Sequence, residues 1–206
     1  MNRKNLTLTM VQFSVLLAIL AIFCFTPLGS IPVGPIVATL AMLPVIITAI
    51  LLGTGAGTLM GAFAGFFSFL VWTLMPPSPV VAFVFTPFYS FGDFTGNYGS
   101  LLICFVPRVL VGTVTGLTWR LFTKLWPGKH ILAMSLSAVL GSVTNTVLVL
   151  GGIWLFFGDQ YASILGKTIL AIIGTTVLTN SIPEAVISAV VAPAVCRPLQ
   201  KIIKKT

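Results

Sequence analysis

The positions of the basic residues constrain the fold of this chain more than any other feature. Nine of its eleven Lys and Arg residues fall at three places, and the segments between these places are almost entirely apolar. The three places are the N-terminus, one central segment and the C-terminus, with Arg3 and Lys4; Arg120, Lys124 and Lys129; and Arg197, Lys201, Lys204 and Lys205. Clusters of cations that alternate with long apolar runs are typical of the loops that flank membrane-spanning helices. The pattern therefore predicts a multi-pass membrane protein.

Composition agrees with this interpretation. Hydrophobic residues make up 57% of the chain and charged residues 7%, whereas about a quarter of the residues in a soluble domain are charged. The net charge of +8 does not predict a nucleic-acid partner, because the cations flank apolar runs and form no interleaved basic and aromatic surface. Their expected partners are the headgroups of the lipid bilayer. No cleavage site of small residues follows the first apolar run, so we expect a retained helix there.

A spanning helix needs about 20 mainly apolar residues. Dividing the chain at its Pro, Gly and polar clusters predicts one membrane domain, residues 1–206, with six spans at about 9–25, 37–52, 55–75, 101–122, 131–157 and 168–195. The second span is short, and Pro183 interrupts the sixth. The expected fold is an all-α integral membrane protein, a bundle of six transmembrane helices. The N- and C-termini are both expected in the cytoplasm, because this orientation places all nine clustered cations inside.

The outer loops predicted by this topology, 26–35, 76–100 and 158–167, differ from simple connectors. The second is rich in proline and aromatic residues, namely Pro76, Pro77, Pro79, Phe83, Phe85, Pro87, Phe88, Tyr89, Phe91, Phe94 and Tyr98. Simple connectors are more polar, so we expect this loop to fold back over the bundle as a lid above a ligand. Aromatic anchoring at the membrane interface is the alternative.

Two cations lie outside the three clusters, Arg108 near the predicted outer end of the fourth span and Lys167 in the third outer loop. A guanidinium inside the bilayer costs several kcal/mol unless it is paired or reaches water. Its planar fork suits a carboxylate or a phosphate, so Arg108 is the stronger ligand-binding candidate. The structural alternatives are an ion pair with Glu184 or Asp93, or snorkelling to the outer headgroups.

Further polar residues occur in the last two predicted spans. Asn145 lies within the fifth, and an amide there is costly to leave unmatched. Asn180 and Glu184, the only Glu, are four residues apart in the sixth span and share a helix face. We expect these groups to converge with Arg108 beneath the lid. The alternative is that they form hydrogen bonds between helices. The aromatic candidates for substrate contact are Trp72 and Tyr89.

Small residues recur at helical spacing in two spans. Gly57, Gly61 and Gly65 repeat every four residues in the third span, and Ser14, Ala18 and Ala21 form a small face on the first. Such faces let helices approach closely. Each is interpreted either as internal packing or as a docking face for a second membrane subunit.

Catalysis is not expected. The chain contains no His-Glu-x-x-His, one His and three acidic residues that do not cluster in sequence, so neither metal ligands nor an acid-base pair can be assigned. The cysteines Cys24, Cys104 and Cys196 lie in or beside apolar runs and are expected to be small buried hydrophobes. A stand-alone secondary transporter is a rival, but it would favour recognisable inverted repeats, and we see none.

Several segments, in their order, resemble the substrate-binding S components of energy-coupling factor (ECF) vitamin transporters over essentially the whole chain. They are Ala38 to Ile47 (ATLAMLPVII) followed by Leu51 to Gly57 (LLGTGAG), Pro107 to Gly112 (PRVLVG), Thr144 to Gly152 (TNTVLVLGG) and Asn180 to Ala185 (NSIPEA). Among these proteins the chain looks most like the pantothenate-specific type. The carboxylate, amide and hydroxyls of pantothenate would suit Arg108 and Asn145, while folate, riboflavin or a pyrimidine precursor remain alternatives.

The resemblance implies a substrate-specific subunit in the plasma membrane of a prokaryote. It would capture a vitamin at the outer face and join a transmembrane coupling subunit and two cytoplasmic ATPases. ATP would be used by those partners, since this chain has no P-loop and is expected to need no cofactor of its own. The family docks its coupling subunit through an Ala-x-x-x-Ala face on the first helix. The nearest match here is Ser14-x-x-x-Ala18, with Ala21 beside it.

Overall fold

A computed structural model of the chain describes residues 3–26, 30–33, 36–166 and 168–203. Its helices are α1 (Arg3–Phe25), α2 (Met42–Leu51), α3 (Thr54–Leu74), α4 (Tyr98–Leu125), α5 (His130–Leu165), α6 (Ile169–Thr176) and α7 (Ile182–Ile203). The shorter elements are β1 (Ser30–Val33), β2 (Ile36–Thr39), a 3-10 helix (Pro79–Val84), β3 (Ser90–Phe91), β4 (Phe94–Thr95) and a π-helical turn (Val177–Ser181). Among the cations named above, Lys167, Lys204 and Lys205 lie outside the described residues.

Five helical segments of the described chain are long and apolar enough to cross a membrane. They are Leu6–Phe25, Thr54–Leu74, Tyr98–Leu125, His130–Ile164 and Leu170–Lys201. The last runs through α6, the π-helical turn and α7 without a break. This confirms an all-helical, multi-pass membrane protein, while the count of six spans and the side on which the termini lie stay predictions.

The second predicted span, 37–52, is helical only in its C-terminal part. Its first residues form β2, which pairs with β1 in an antiparallel hairpin, and α2 contributes only the ten residues Met42–Leu51. Ten residues rise about 15 Å, which is half the hydrocarbon thickness of a bilayer. β-branched residues favour the strand, and Pro44 is tolerated because it lies in the first turn of α2.

The short helix α2 lies in the core of the bundle. Nine of its ten residues are buried, and it contacts α1, α3, α4, α5 and α7. A helix that is apolar on every side is stable only where other helices surround it. Around it lies an apolar cluster that includes Leu20, Ile46, Met60, Val111 and Ala192.

The glycine stripe of α3 packs against α4. A methyl group added at Gly57 would meet Ala49 and the carbonyl of Gly112, and one added at Gly61 would meet the carbonyl of Arg108. Close to this seam the hydroxyls of Thr58 and Thr113 are hydrogen-bonded at 2.8 Å. Of the two interpretations of the stripe, the structure therefore supports internal packing.

The fifth helix is longer than predicted. α5 continues from His130 to Leu165, so most of the predicted third outer loop, 158–167, is helical. The helix ends at Gly166, whose φ of 61° is a left-handed conformation that glycine adopts without a steric penalty. The helix therefore continues beyond residue 157, the predicted end of the fifth span, because Gly158 and Asp159 do not break it.

The predicted orientation can be measured with single cysteines in a variant whose three native cysteines, all buried, are replaced by Ala. Asp93 lies in the predicted outer loop and Lys129 in the predicted inner one, and both are exposed. We expect Asp93→Cys to react with a membrane-impermeant maleimide in intact cells, and Lys129→Cys to react only after permeabilisation. The opposite labelling pattern would invert the topology.

Candidate ligand-binding site

The proline- and aromatic-rich segment that connects α3 to α4 folds back onto the bundle. Val81, Ala82, Phe83, Val84 and Phe85 are all 3% exposed or less. Two side chains tie this segment down: the Ser100 hydroxyl donates to the Phe83 carbonyl at 2.7 Å, and the Thr73 hydroxyl donates to that of Thr86 at 2.8 Å. The segment covers the helices, as the lid interpretation predicted. From here on, residues 79–86 are termed the lid.

Aromatic contacts join the lid to α3 and α5. Trp72 of α3 stacks on Phe85 of the lid, with ring centroids 4.5 Å apart and an interplanar angle of 22°. Phe83 meets Phe157 of α5 edge to face at 5.6 Å. Such pairs contribute about 0.5–1.5 kcal/mol each beyond the area that they bury. The lid is thus packed against α3 and α5 through aromatic contacts.

Beneath the lid lies a cavity of about 50 Å³. Its walls come from α3, the lid, α4, α5, the π-helical turn and its flanks, and consist of Trp72, Phe85, Arg108, Asn145, Thr146, Val149, Leu150, Thr176, Asn180, Ser181 and Glu184. Five of the six predicted substrate contacts, Arg108, Asn145, Asn180, Glu184 and Trp72, therefore lie around one cavity. The sixth, Tyr89, packs against the apolar cluster that contains the lid residues Phe83 and Phe85, and it is not among the lining residues.

Arg108 is the cation of this cavity. It lies ten residues into α4 and is only 5% exposed, so the proposed snorkelling to headgroups does not occur. One terminal nitrogen, Nη1, donates to the Ile103 carbonyl at 2.8 Å, and the guanidinium carbon lies 5.7 Å from the centre of the Phe85 ring. Nε is buried and has no hydrogen-bond partner among the described residues. Asp93, one of the predicted ion-pair partners, is an exposed residue between β3 and β4.

Asn145 contributes a hydrogen-bond acceptor to the cavity, whereas Arg108 contributes a donor. Its side chain is 8% exposed, and its Oδ1 is buried without a hydrogen-bond partner in the described part of the chain. A buried polar atom that lacks its hydrogen bond costs about 1–3 kcal/mol. The cavity wall therefore offers an unmatched donor, Arg108 Nε, and an unmatched acceptor, Asn145 Oδ1. A ligand that carries both an anionic group and a hydroxyl or amide N–H would satisfy both.

The π-helical turn supplies one side of the cavity. The Ile182 amide donates to the Val177 carbonyl, a wider repeat than that of an α-helix, and π-turns of this kind occur often at functional sites. With the wider turn, the neighbours Asn180 and Ser181 both line the cavity, together with Thr176 and Glu184. Regular helical spacing predicted only Asn180 and Glu184.

The sequence analysis missed six lining residues, Phe85, Thr146, Val149, Leu150, Thr176 and Ser181. Two of them could have been found from spacing, since Val149 lies four residues after Asn145 and Thr176 four before Asn180, which places each pair on one helix face. Phe85 could not be chosen from among the aromatic residues of its loop, because its position depends on how the lid folds.

The predicted docking residues lie on the outer surface of α1. Ser14 and Ala18 are exposed, and Ala21 is partly buried. Among residues 6–25 of this helix, only Leu16, Leu20 and Cys24 are buried. Its outward face also carries Val11 and Val15, each 54% exposed, so this face contacts either lipid or another membrane protein.

These observations define a class of protein: a multi-pass helical membrane protein with a small cavity lined by aromatic and aliphatic residues together with a buried cation and several amide and hydroxyl groups. Residues 8–196 match the family described as "ECF transporter, substrate-specific component", and the chain belongs to this family. It is also 35% identical, over 168 residues, to the pantothenic acid transporter PanT of Lactococcus lactis subsp. cremoris (strain MG1363), covering 81% of this chain and 80% of that protein. The resemblance identified from the sequence is confirmed. Members of this family are transport components, so the expectation that the chain is not an enzyme is confirmed as well.

Proposed function

We propose that this chain is the substrate-specific subunit of an ECF transporter for pantothenate, which it captures at the outer face of the membrane. The observation that carries the proposal is the buried guanidinium of Arg108. Its Nε has no partner among the residues that the structure describes, and it lies beside a cavity whose polar groups are mainly amide and hydroxyl side chains. Similarity to a pantothenic acid transporter over four-fifths of the chain supports the same ligand.

The chemistry of pantothenate matches the cavity group by group. Its carboxylate would receive charge-assisted hydrogen bonds from Arg108, which contribute about 1.5–3 kcal/mol each. An amide N–H or a hydroxyl of the ligand would donate to Asn145 Oδ1. Its geminal methyl groups would pack against the stacked rings of Trp72 and Phe85. Asn180 and Glu184 would meet the remaining polar groups.

Binding requires the cavity to widen. A volume of about 50 Å³ is smaller than the roughly 300–1,000 Å³ of sites that enclose small organic ligands. Two of the contacts between the lid and α3 are made by side chains beside the cavity, namely the Trp72–Phe85 stack and the Thr73–Thr86 hydrogen bond. We infer that these contacts rearrange when the ligand enters. The ligand would then enter the cavity from the side that the lid covers.

Uptake by this protein would depend on partner subunits. The proposed partners are a transmembrane coupling protein and two cytoplasmic ATPases, and the ATPases would hydrolyse ATP. The proposed location of the complex is the plasma membrane of a prokaryote. This assignment follows from membership of the family and from the lack of a P-loop sequence in the chain. It distinguishes the protein from a stand-alone secondary transporter, which would move its substrate without ATPases.

Calorimetry on the purified chain in detergent tests the ligand, with pantothenate, riboflavin, folate and a pyrimidine precursor titrated separately. Tight binding of pantothenate alone supports the proposal. Tight binding of another vitamin retains the family and replaces the ligand, and binding of none by a folded sample contradicts the proposal. Proteoliposomes that contain the chain alone should show no ATP-dependent accumulation of pantothenate, whereas addition of the coupling subunit and ATPases should restore it.

The docking face gives a separate prediction. We expect Ser14→Leu together with Ala18→Leu to reduce recovery of the coupling subunit in co-purification, because two larger side chains prevent close helix approach. Pantothenate affinity of the isolated chain should stay unchanged, since neither residue lines the cavity. Ala171→Leu, at an exposed Ala of α6, is the matched control. Full assembly of the double variant would locate the docking face elsewhere.

A further inference from the structure

Pro107 creates an unsatisfied carbonyl within α4. A proline has no amide hydrogen, so the carbonyl four residues earlier loses its helical hydrogen bond. Here that carbonyl belongs to Ile103, which is 2% exposed and therefore out of reach of water. A buried carbonyl needs a donor from elsewhere in the protein.

The donor is the next residue along the chain. Arg108 Nη1 donates to the Ile103 carbonyl at 2.8 Å, across five residues of the same helix. The guanidinium thereby turns towards the N-terminal end of α4, the direction that helical side chains favour. Each partner would be costly to bury alone, and each satisfies part of the other's hydrogen-bonding requirement.

We propose that Pro107 is a positioning residue for the ligand site, since the carbonyl that it frees anchors Nη1 of Arg108 and leaves the Nε edge of the guanidinium to receive the ligand carboxylate. This inference rests on the proposed function. An arginine can pair with a carboxylate through its end, Nη1 and Nη2, or through its side, Nε and Nη2. The bond to the Ile103 carbonyl uses one of the two N–H groups of Nη1 and fixes the orientation of the guanidinium, and Nε is buried without a partner among the described residues. The side edge contains this unmatched donor, so it is the edge that we assign to the ligand.

A second helix contains a proline that serves as the matched control. Pro193 lies inside α7 and frees the carbonyl of Ala189, which accepts a hydrogen bond from the Ser135 hydroxyl of α5 at 2.7 Å. The local chemistry is the same, but the donor is a neutral hydroxyl, and none of these three residues lines the cavity. Replacing Pro193 therefore changes helix packing without changing Arg108.

The experiment compares Pro107→Ala and Pro193→Ala by calorimetry with pantothenate and with pantothenol, in which a neutral hydroxymethyl group replaces the carboxylate. Alanine restores the amide that bonds to the Ile103 carbonyl and competes with Nη1. We expect Pro107→Ala to weaken pantothenate binding about tenfold, the scale of one lost hydrogen bond, and to change pantothenol binding less than twofold. Pro193→Ala should change neither. Equal losses for the two ligands, or no loss with pantothenate, would overturn the inference.

Thermal unfolding without ligand tests the same coupling independently. Arg108→Met should lower the Tm more in the wild-type background, where it leaves the Ile103 carbonyl without a donor, than in the Pro107→Ala background, where the restored amide supplies one. If the wild-type chain does not bind pantothenate, the proposed function fails, yet this non-additivity still supports the positioning of Arg108. Additive changes in Tm would overturn that positioning whichever ligand binds.

Discussion

Arg108→Met is expected to weaken pantothenate binding about 100-fold while the protein stays folded. The affinity loss corresponds to about 2.7 kcal/mol, which is within the range for a hydrogen bond to a charged group. Met is long, unbranched and apolar, so it can fill the space beside Phe85 that the guanidinium occupies. Replacing a buried charge with an apolar side chain of similar length removes its desolvation cost, which offsets part of the stability lost with the hydrogen bond to Ile103. Calorimetry of the detergent-purified variant measures the affinity, and thermal unfolding checks the fold.

Two control variants separate charge from geometry and from general effects on the protein. Arg108→Lys retains the positive charge but loses the planar fork, so its affinity should be between those of wild type and Arg108→Met. Arg120→Met makes the same chemical change on the same helix at an exposed position and should bind as wild type does. If Arg108→Met folds and binds pantothenate with unchanged affinity, Arg108 serves the structure only.

The sequence predicts the helices and the convergence of polar residues because both depend on local rules. Apolar runs bounded by glycine, proline and charge mark the long helices, and a buried Arg, Asn or Glu within them is rare enough to indicate a site. Arg108, Asn145 and Asn180 were predicted on this basis, and the structure places them around one cavity. The distribution of cations likewise predicts an orientation that follows from no other feature of the chain.

Features that depend on packing between distant segments were not predictable in the same way. The separation of 37–52 into a strand and the short helix α2 is stabilised by burial among five other helices. The π-helical turn that brings Ser181 to the cavity has no signal in residue spacing, although Pro183 nearby indicates a local irregularity. Phe85 lines the cavity and Tyr89 does not, and this difference follows from how the lid folds. The sequence alone could not separate the two residues, because both are aromatic residues of the same loop.

The seam between α3 and α4 connects overall packing to the ligand site. α3 contributes Trp72 to the cavity and α4 contributes Arg108, so the separation of these helices sets the width of the site between the aromatic ring and the cation. Gly61 lies where a Cβ would overlap the Arg108 carbonyl. The backbone of Arg108 therefore packs directly against Gly61. A larger residue at position 61 is expected to change both the stability of the protein and its affinity for the ligand.

Gly61→Ala is accordingly expected to lower both the Tm of the unliganded protein and its affinity for pantothenate. The added methyl meets the carbonyl oxygen and carbon of Arg108 and the Cα of Val109, all backbone atoms that cannot rotate away, so α3 and α4 must separate. Overpacking of this kind costs about 1–3 kcal/mol or more. Gly55→Ala, on the same helix with nothing within 4 Å of the added methyl, should leave both quantities unchanged or raise the Tm slightly, since alanine favours helices. Thermal unfolding measures the Tm of the two variants, and calorimetry measures their affinity for pantothenate. If Gly61→Ala has the same Tm and the same affinity as Gly55→Ala, the helices are not in backbone contact at Arg108, and the width of the site is set elsewhere.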